Sequence, residues 1–149
     1  MPHSFNKIWI HAVWATKERL PIIKPAIEHH LYSFIANQLH ELGCPVRITN
    51  GMPDHIHCLF LLNPQKSIAD VVKQIKGSSS HFINQQNFIA QKFAWQNGYA
   101  AFSVSDSGVE KVFNYIKNQK QHHQKRTFQN EYEAFLKLYM METSHDENI

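Results

Sequence analysis

Val46-Arg47-Ile48-Thr49-Asn50-Gly51-Met52-Pro53-Asp54-His55-Ile56-His57-Cys58-Leu59-Phe60-Leu61-Leu62 is the stretch on which the fold turns. Val46 to Thr49 and His55 to Leu62 are rich in β-branched and large apolar residues. Between them Asn50 to Asp54 is dense in turn formers, so the two runs are expected to pair as antiparallel strands. Side chains two apart on a strand share a face. His55 and His57 therefore present two imidazoles side by side, while Ile56 turns to the opposite face.

Upstream, Lys7 to Trp14 alternates, with Ile8, Ile10, Ala12 and Trp14 on one face and Trp9, His11 and Val13 on the other, as a first strand would. A basic turn, Thr16-Lys17-Glu18-Arg19, follows. Pro25 suits a first helical position, and Ile27, Leu31, Phe34, Ile35, Leu39 and Leu42 recur at helical spacing until Gly43 offers a left-handed stop. Downstream, Ser67-Ile68-Ala69-Asp70 resembles a capping box opening a second helix through Phe82, with Lys73 and Lys76 off its apolar stripe. Trp95-Gln96-Asn97-Gly98 reads as a turn into a fourth strand near Tyr99 to Val104, and Ser105 to Gly108 breaks the chain before a third helix. The order βαββαβ, then α, predicts an α+β fold of ferredoxin-like type: an antiparallel sheet with helices on one face, the other face free for a ligand or partner, plus a C-terminal helix. Fold class does not establish function.

The 149 residues suit one domain, 1–149, with 131–149 as an acidic C-terminal extension. That extension carries Glu131, Glu133, Glu142, Asp146 and Glu147 against Lys137, so the rest of the chain holds a net +7 within an overall +3. A moderately basic body fits a polyanionic partner and equally an ordinary solvated surface. Tyr132, Phe135, Leu136 and Tyr139 suggest a short amphipathic helix there, with a fraying acidic end. No apolar run nears the ~20 residues of a membrane span and Met1 to Phe5 lack a signal peptide's apolar core, so a soluble cytoplasmic protein is expected. Cys44 and Cys58 supply neither a disulfide framework nor a metal knuckle and are expected as buried thiols.

On the third helix Val109, Val112, Phe113 and Ile116 form an apolar face, while Lys111, Tyr115, Asn118, Gln119 and His122 lie on an adjacent polar stripe. Each feature alone has a plain structural explanation. A His-X-His pair on a strand is more often hydrogen-bonded than metal-bound, and His122-His123 suits a solvated helix end. The conjunction is what points to chemistry: two imidazoles on a strand, and a tyrosine and an amide that look the same way.

In this ordered set the chain resembles the single-tyrosine HUH transposases of the IS200-like insertion sequences, including the REP-associated tyrosine transposases. The resemblance rests on Trp14-Ala15-Thr16-Lys17, Met52-Pro53-Asp54-His55-Ile56-His57, Ile75-Lys76-Gly77-Ser78-Ser79, Phe93-Ala94-Trp95-Gln96-Asn97-Gly98-Tyr99 and Tyr115-Ile116-Lys117-Asn118-Gln119 with His122-His123. One alanine separates Phe93 from Trp95-Gln96, where many relatives have these residues adjacent. The resemblance implies that His55, His57 and Gln119 bind a divalent metal, Mg or Mn, and that Tyr115 is the nucleophile. His122 is the alternative third ligand or proton acceptor. Two imidazoles also bind softer ions, so zinc or nickel would bind tightly and inhibit.

The implied activity is cleavage and rejoining of single-stranded DNA at hairpin-bearing ends through a 5′-phosphotyrosine, by a homodimer in which Ser105 to Gly108 is the hinge of the tyrosine helix. Lys17, Arg19, Lys73 and Lys76 are the candidate phosphate contacts, whereas Trp9, Trp14 and Trp95 read as packing. The competing readings are a domesticated host protein that processes repeated palindromes, a non-cleaving single-stranded nucleic-acid-binding module, and a phosphoesterase that uses water.

Overall fold

The protein is described by a computed structural model that covers residues 4–122, 130–131 and 133–134. Strand β1 (Trp9–Ala15), β2 (Val46–Met52), β3 (His55–Leu61) and β4 (Ala100–Val104) form one sheet in the order β2-β3-β1-β4, with every neighbouring pair antiparallel. Helix α1 (Pro25–Glu41) joins β1 to β2, and α2 (Ile68–Gln86) joins β3 to β4. Each helix thus connects two strands separated by a third, and the α+β class is as expected.

The local signals act as their chemistry requires. Pro25 opens α1, and Gly43 at φ 75° follows its end. Ser67 caps α2 by accepting from the Asp70 backbone N–H at 3.1 Å. Both helices pack against Ile10, Ala12, Trp14, Ile56, Cys58 and Phe60, the side of the sheet away from His55 and His57. Among the described residues no helix is long and apolar enough to cross a membrane. Cys44 and Cys58 are both free and buried.

The β2–β3 hairpin is tighter than the sequence suggests. Asn50, Gly51 and Met52 belong to β2 and pair with His57, Ile56 and His55, leaving Pro53 and Asp54 as the turn. Gly51 serves contact rather than turning: a Cβ built on it would lie 2.2 Å from the His55 carbonyl oxygen and 2.9 Å from Ile56 Cα.

The second face of the sheet is not free, contrary to expectation. Helix α3 (Val109–Lys117) crosses it, burying Val109 and Ile116 on Leu59, with Trp9, Ile48, Val104, Val112, Phe113 and Tyr115 packed around them. The reason is the apolar stripe of α3, since each large side chain withdrawn from water contributes roughly 1.5–3 kcal/mol. The third helix is also not continuous. It ends at Asn118 (φ −96°, ψ 19°), and a separate helical turn, α4 (Gln119–His122), follows. The Asn50 amide donates to the Ile116 and Lys117 carbonyls at 2.9 and 3.2 Å, satisfying groups that a helix end otherwise leaves bare. Lys120 Nζ then donates to the Gly51 carbonyl at 2.6 Å and to Glu28 Oε1 at 2.7 Å. Residues 130–131 and 133–134 are helical, whereas Tyr132, Phe135, Leu136 and Tyr139 lie outside the described residues.

Candidate active site

His55 and His57 project from β3 onto the α3 side and are buried, at 0% and 2% exposure. The outer nitrogen of each ring is held. His55 Nδ1 lies 2.8 Å from Asp54 Oδ1, and His57 Nδ1 lies 2.8 Å from Nε2 of His11, a fully buried neighbour on β1 stacked against it. Both Nε2 atoms are thereby turned inward, the arrangement found where a second partner orients a metal-ligating histidine. Across from them stand Gln119, whose Oε1 is 3.2 Å from His55 Nε2, and Glu131, whose carboxylate oxygens are 3.4 Å from His55 Nε2 and 3.1 Å from His57 Nε2. Gln119 Nε2 and the Tyr115 hydroxyl both donate to Glu131 Oε1, the former at 2.6 Å. The Tyr115 ring stands edge-on to His57 with centroids 6.0 Å apart.

The charges in this cluster support one another. Burial pushes the Glu131 carboxyl up, but hydrogen bonds from His55, His57 and Tyr115 outweigh it and hold the group well below the usual carboxylate range. Burial pulls His55 down, yet Asp54 and Glu131 leave it above the ordinary imidazole value. His11 is driven well below that value by burial and then by its neighbour His57, so it partners His57 as a neutral ring.

The donor set fits a divalent ion. His55, His57 and Glu131 each bring one ligand atom within 4.8 Å of the others, and the Gln119 amide oxygen adjoins them. Two imidazoles with a carboxylate suit transition metals and manganese, and oxygen donors also admit magnesium. Glu131 was not legible as a site residue: it falls in the acidic run that reads as a solvated tail, yet it is 1% exposed. Glu131→Gln keeps the shape and removes the charge, so it is expected to weaken Mn2+ binding on the order of 10–100-fold. Calorimetric titration of the metal checks this, and unchanged affinity would remove the carboxylate from the ligand set.

The remaining sequence candidates are dispersed. His122 lies in α4, with its side chain outside the description, and His123 is outside the described residues. Lys17 is exposed and Arg19 half-buried in a tight turn at the end of β1, where Glu18 and Arg19 both take positive φ, 56° and 55°. Lys73 is exposed on α2, which packs on the opposite face of the sheet from the histidines. Lys76 Nζ donates to the Gln96 and Gly98 carbonyls at 2.7 and 2.8 Å, so its charge is engaged in fastening that turn. Trp14 is buried beneath α1 and α2 with Trp95 edge-on to it, and Trp9 packs under α3.

A histidine pair on an antiparallel sheet thus faces a tyrosine carried by the covering helix. The family model described as transposase, IS200-like, matches residues 4–119, and the chain belongs to that family. Membership carries with it DNA cleavage and strand transfer as the class of activity. The chain is 26% identical over 114 residues to the ISDra2 transposase TnpA of Deinococcus radiodurans, covering 73% of this chain and 81% of that one. It superposes on the crystal structure of a candidate transposase from Deinococcus radiodurans with a TM-score of 0.64 at 26% identity, over 78% of this chain and 93% of the other. A REP-associated tyrosine transposase solved with a REP hairpin shares the fold, with a TM-score of 0.59 at 15% identity over 81% and 72% of the two chains.

Proposed function

We propose that this transposase cleaves and rejoins single-stranded DNA at hairpin-bearing ends, through a 5′-phosphotyrosine on Tyr115, with Mg or Mn held by His55 and His57 together with Gln119 and Glu131. The observation that carries the reading is the position of the Tyr115 hydroxyl, hydrogen-bonded to the same carboxylate that both histidine Nε2 atoms approach. The Tyr115 oxygen gives up its proton to solvent as it attacks the scissile phosphorus, the bond to the 3′ oxygen breaks, and that oxygen takes up a proton and leaves as a free 3′-hydroxyl. The new link to tyrosine retains the phosphoester energy, so a later 3′-hydroxyl can displace Tyr115 without a nucleotide cofactor. Glu131 accepts the hydroxyl hydrogen bond and so aims the Tyr115 oxygen. A bound divalent ion supplies charge neutralisation at the phosphate.

His11 and Asp54 keep the two imidazoles aimed inward, and α3 and Leu59 shield the cluster from water on one side. Lys17 and Arg19 are the basic residues of the β1 end of the sheet that fit the path of a strand leaving the site, whereas Lys73 and Lys76 belong to its far face. A homodimer and a hairpin partner complete the reading, which rests on family membership.

The test uses oligonucleotides spanning hairpins that flank the gene, labelled at one end or the other and incubated with Mn2+ or with EDTA. A covalent protein–DNA band that carries only the 3′ label and disappears in EDTA is expected. A band carrying the 5′ label, or cleavage with no adduct, would overturn the proposal.

A further inference from the structure

The Trp95-Gln96-Asn97-Gly98-Tyr99 turn has no part in the chemistry above, yet it is built with unusual care. Trp95 forms a bridge with Thr16 and donates from its indole to Ser79 Oγ at 2.9 Å. The Gln96 N–H donates to the Ala15 carbonyl, and Lys76 holds the Gln96 and Gly98 carbonyls from the other side. Gly98 sits at φ +91° with open space around its missing Cβ, so backbone conformation alone selects glycine there. The pairing of β1 with β4 stops at Val13 opposite Ala100, and the next pairing is Thr16 with Trp95. Trp14 and Ala15 on one side therefore face the longer span from Gln96 to Tyr99 on the other. Beside this mismatch lies a cavity of about 240 Å³, lined by Val13, Ala15, Arg19, Gln96, Asn97 and Tyr99 among others.

Two features bear on what this cavity would hold. Its floor adjoins the site, because Val13 and Ala15 are the cross-strand partners of His57 and His55 on the same face of the sheet. Its walls combine two carboxamides, each offering a donor and an acceptor, with a tyrosine ring that is 42% exposed and an arginine. Carboxamides match the mixed donor–acceptor edge of a base, and an aromatic face stacks on one. A phosphate would instead call for several cations, and among the described residues Arg19 is the sole cation of the lining. The volume lies below the ~300–1,000 Å³ of sites that hold drug-sized molecules, a scale that suits one base. Arg19 also stands in a left-handed conformation rare for its type, a strained geometry of the kind that clusters at ligand contacts.

We infer that this cavity is a protein-built pocket for one unpaired nucleobase of the strand being cut, with Tyr99 stacking on the ring and Gln96 and Asn97 bonding to its edge. The inference rests on the single-strand cleavage reading for the identity of its ligand. It assigns the turn a role in choosing which phosphate is presented to Tyr115.

The experiment compares the affinity of the full protein, in EDTA, for a mixed-sequence single-stranded oligonucleotide and for an abasic oligomer of the same length, by fluorescence anisotropy. Asn97→Ala and Tyr99→Ala alter exposed side chains, and unchanged melting temperatures will show that both fold. Each variant is expected to lower the ratio of base-bearing to abasic affinity about tenfold while leaving abasic binding as in the parent. An unchanged ratio, or equal weakening of both oligomers as a phosphate contact would give, overturns the pocket. The adduct assay is scored separately. An adduct without base dependence at these residues sinks the pocket alone, whereas base dependence without an adduct keeps it and sinks the phosphotyrosine reading.

Discussion

Tyr115→Phe is expected to form no covalent adduct and to cleave at least about 10³-fold more slowly, because it removes the attacking oxygen and little else. The ring is packed with Leu59 and Ile116 beneath α3 and stands against His57, and phenylalanine preserves both contacts. Glu131 keeps its contacts to Gln119, His55 and His57, so the lost hydrogen bond is expected to cost stability only about 1 kcal/mol. Binding of Mn2+ and of single strands should therefore persist. Denaturing gels read the adduct, and calorimetry with anisotropy reads the two binding terms. Cleavage that survives in Tyr115→Phe would mean that water, rather than tyrosine, is the nucleophile.

Gly51→Ala is expected to destabilise the fold by about 3 kcal/mol or more, lowering the melting temperature by roughly 10 °C. The added methyl would meet backbone, the His55 carbonyl at 2.2 Å and Ile56 Cα at 2.9 Å, and backbone within a sheet cannot swing aside as a side chain can. Relief requires β2 and β3 to separate beside His55, so Mn2+ affinity should fall with stability. Thermal melts and metal titration of the same preparation measure the two effects. A variant with the parent's melting temperature would show that the hairpin closes less tightly than described.

The strands were legible because their period is short and their faces are chemically distinct. Ile10, Ala12 and Trp14 do face the helices while Trp9, His11 and Val13 face the other way, and Ile56 does oppose its histidine neighbours. The hairpin turn was misplaced because Asn50-Gly51 has the composition of a turn, whereas its glycine answers to steric contact with the opposite strand. The break at Asn118 was invisible for a different reason. Its cap is a side chain 66 residues away, so no window of sequence around the helix contains it. Glu131 was missed likewise, since a carboxylate in an acidic run reads as solvated until the buried imidazoles that enclose it are known. Local patterning exposed the two histidines and placed Tyr115 and Gln119 in common register; tertiary contact supplied the rest.

The Asn50 and Lys120 contacts make β2 the common ruler for both halves of the site. The same strand that sets the register of His55 and His57 also receives the end of the helix that bears Tyr115. A slip of one residue would turn the histidines toward α1 and α2 and carry the tyrosine's anchor along with it. For anyone exchanging parts among such proteins, 46–62 and 109–120 therefore have to travel together, with His11 and Glu131 kept in place around them, and grafting either segment alone would import a ruler without the object it measures.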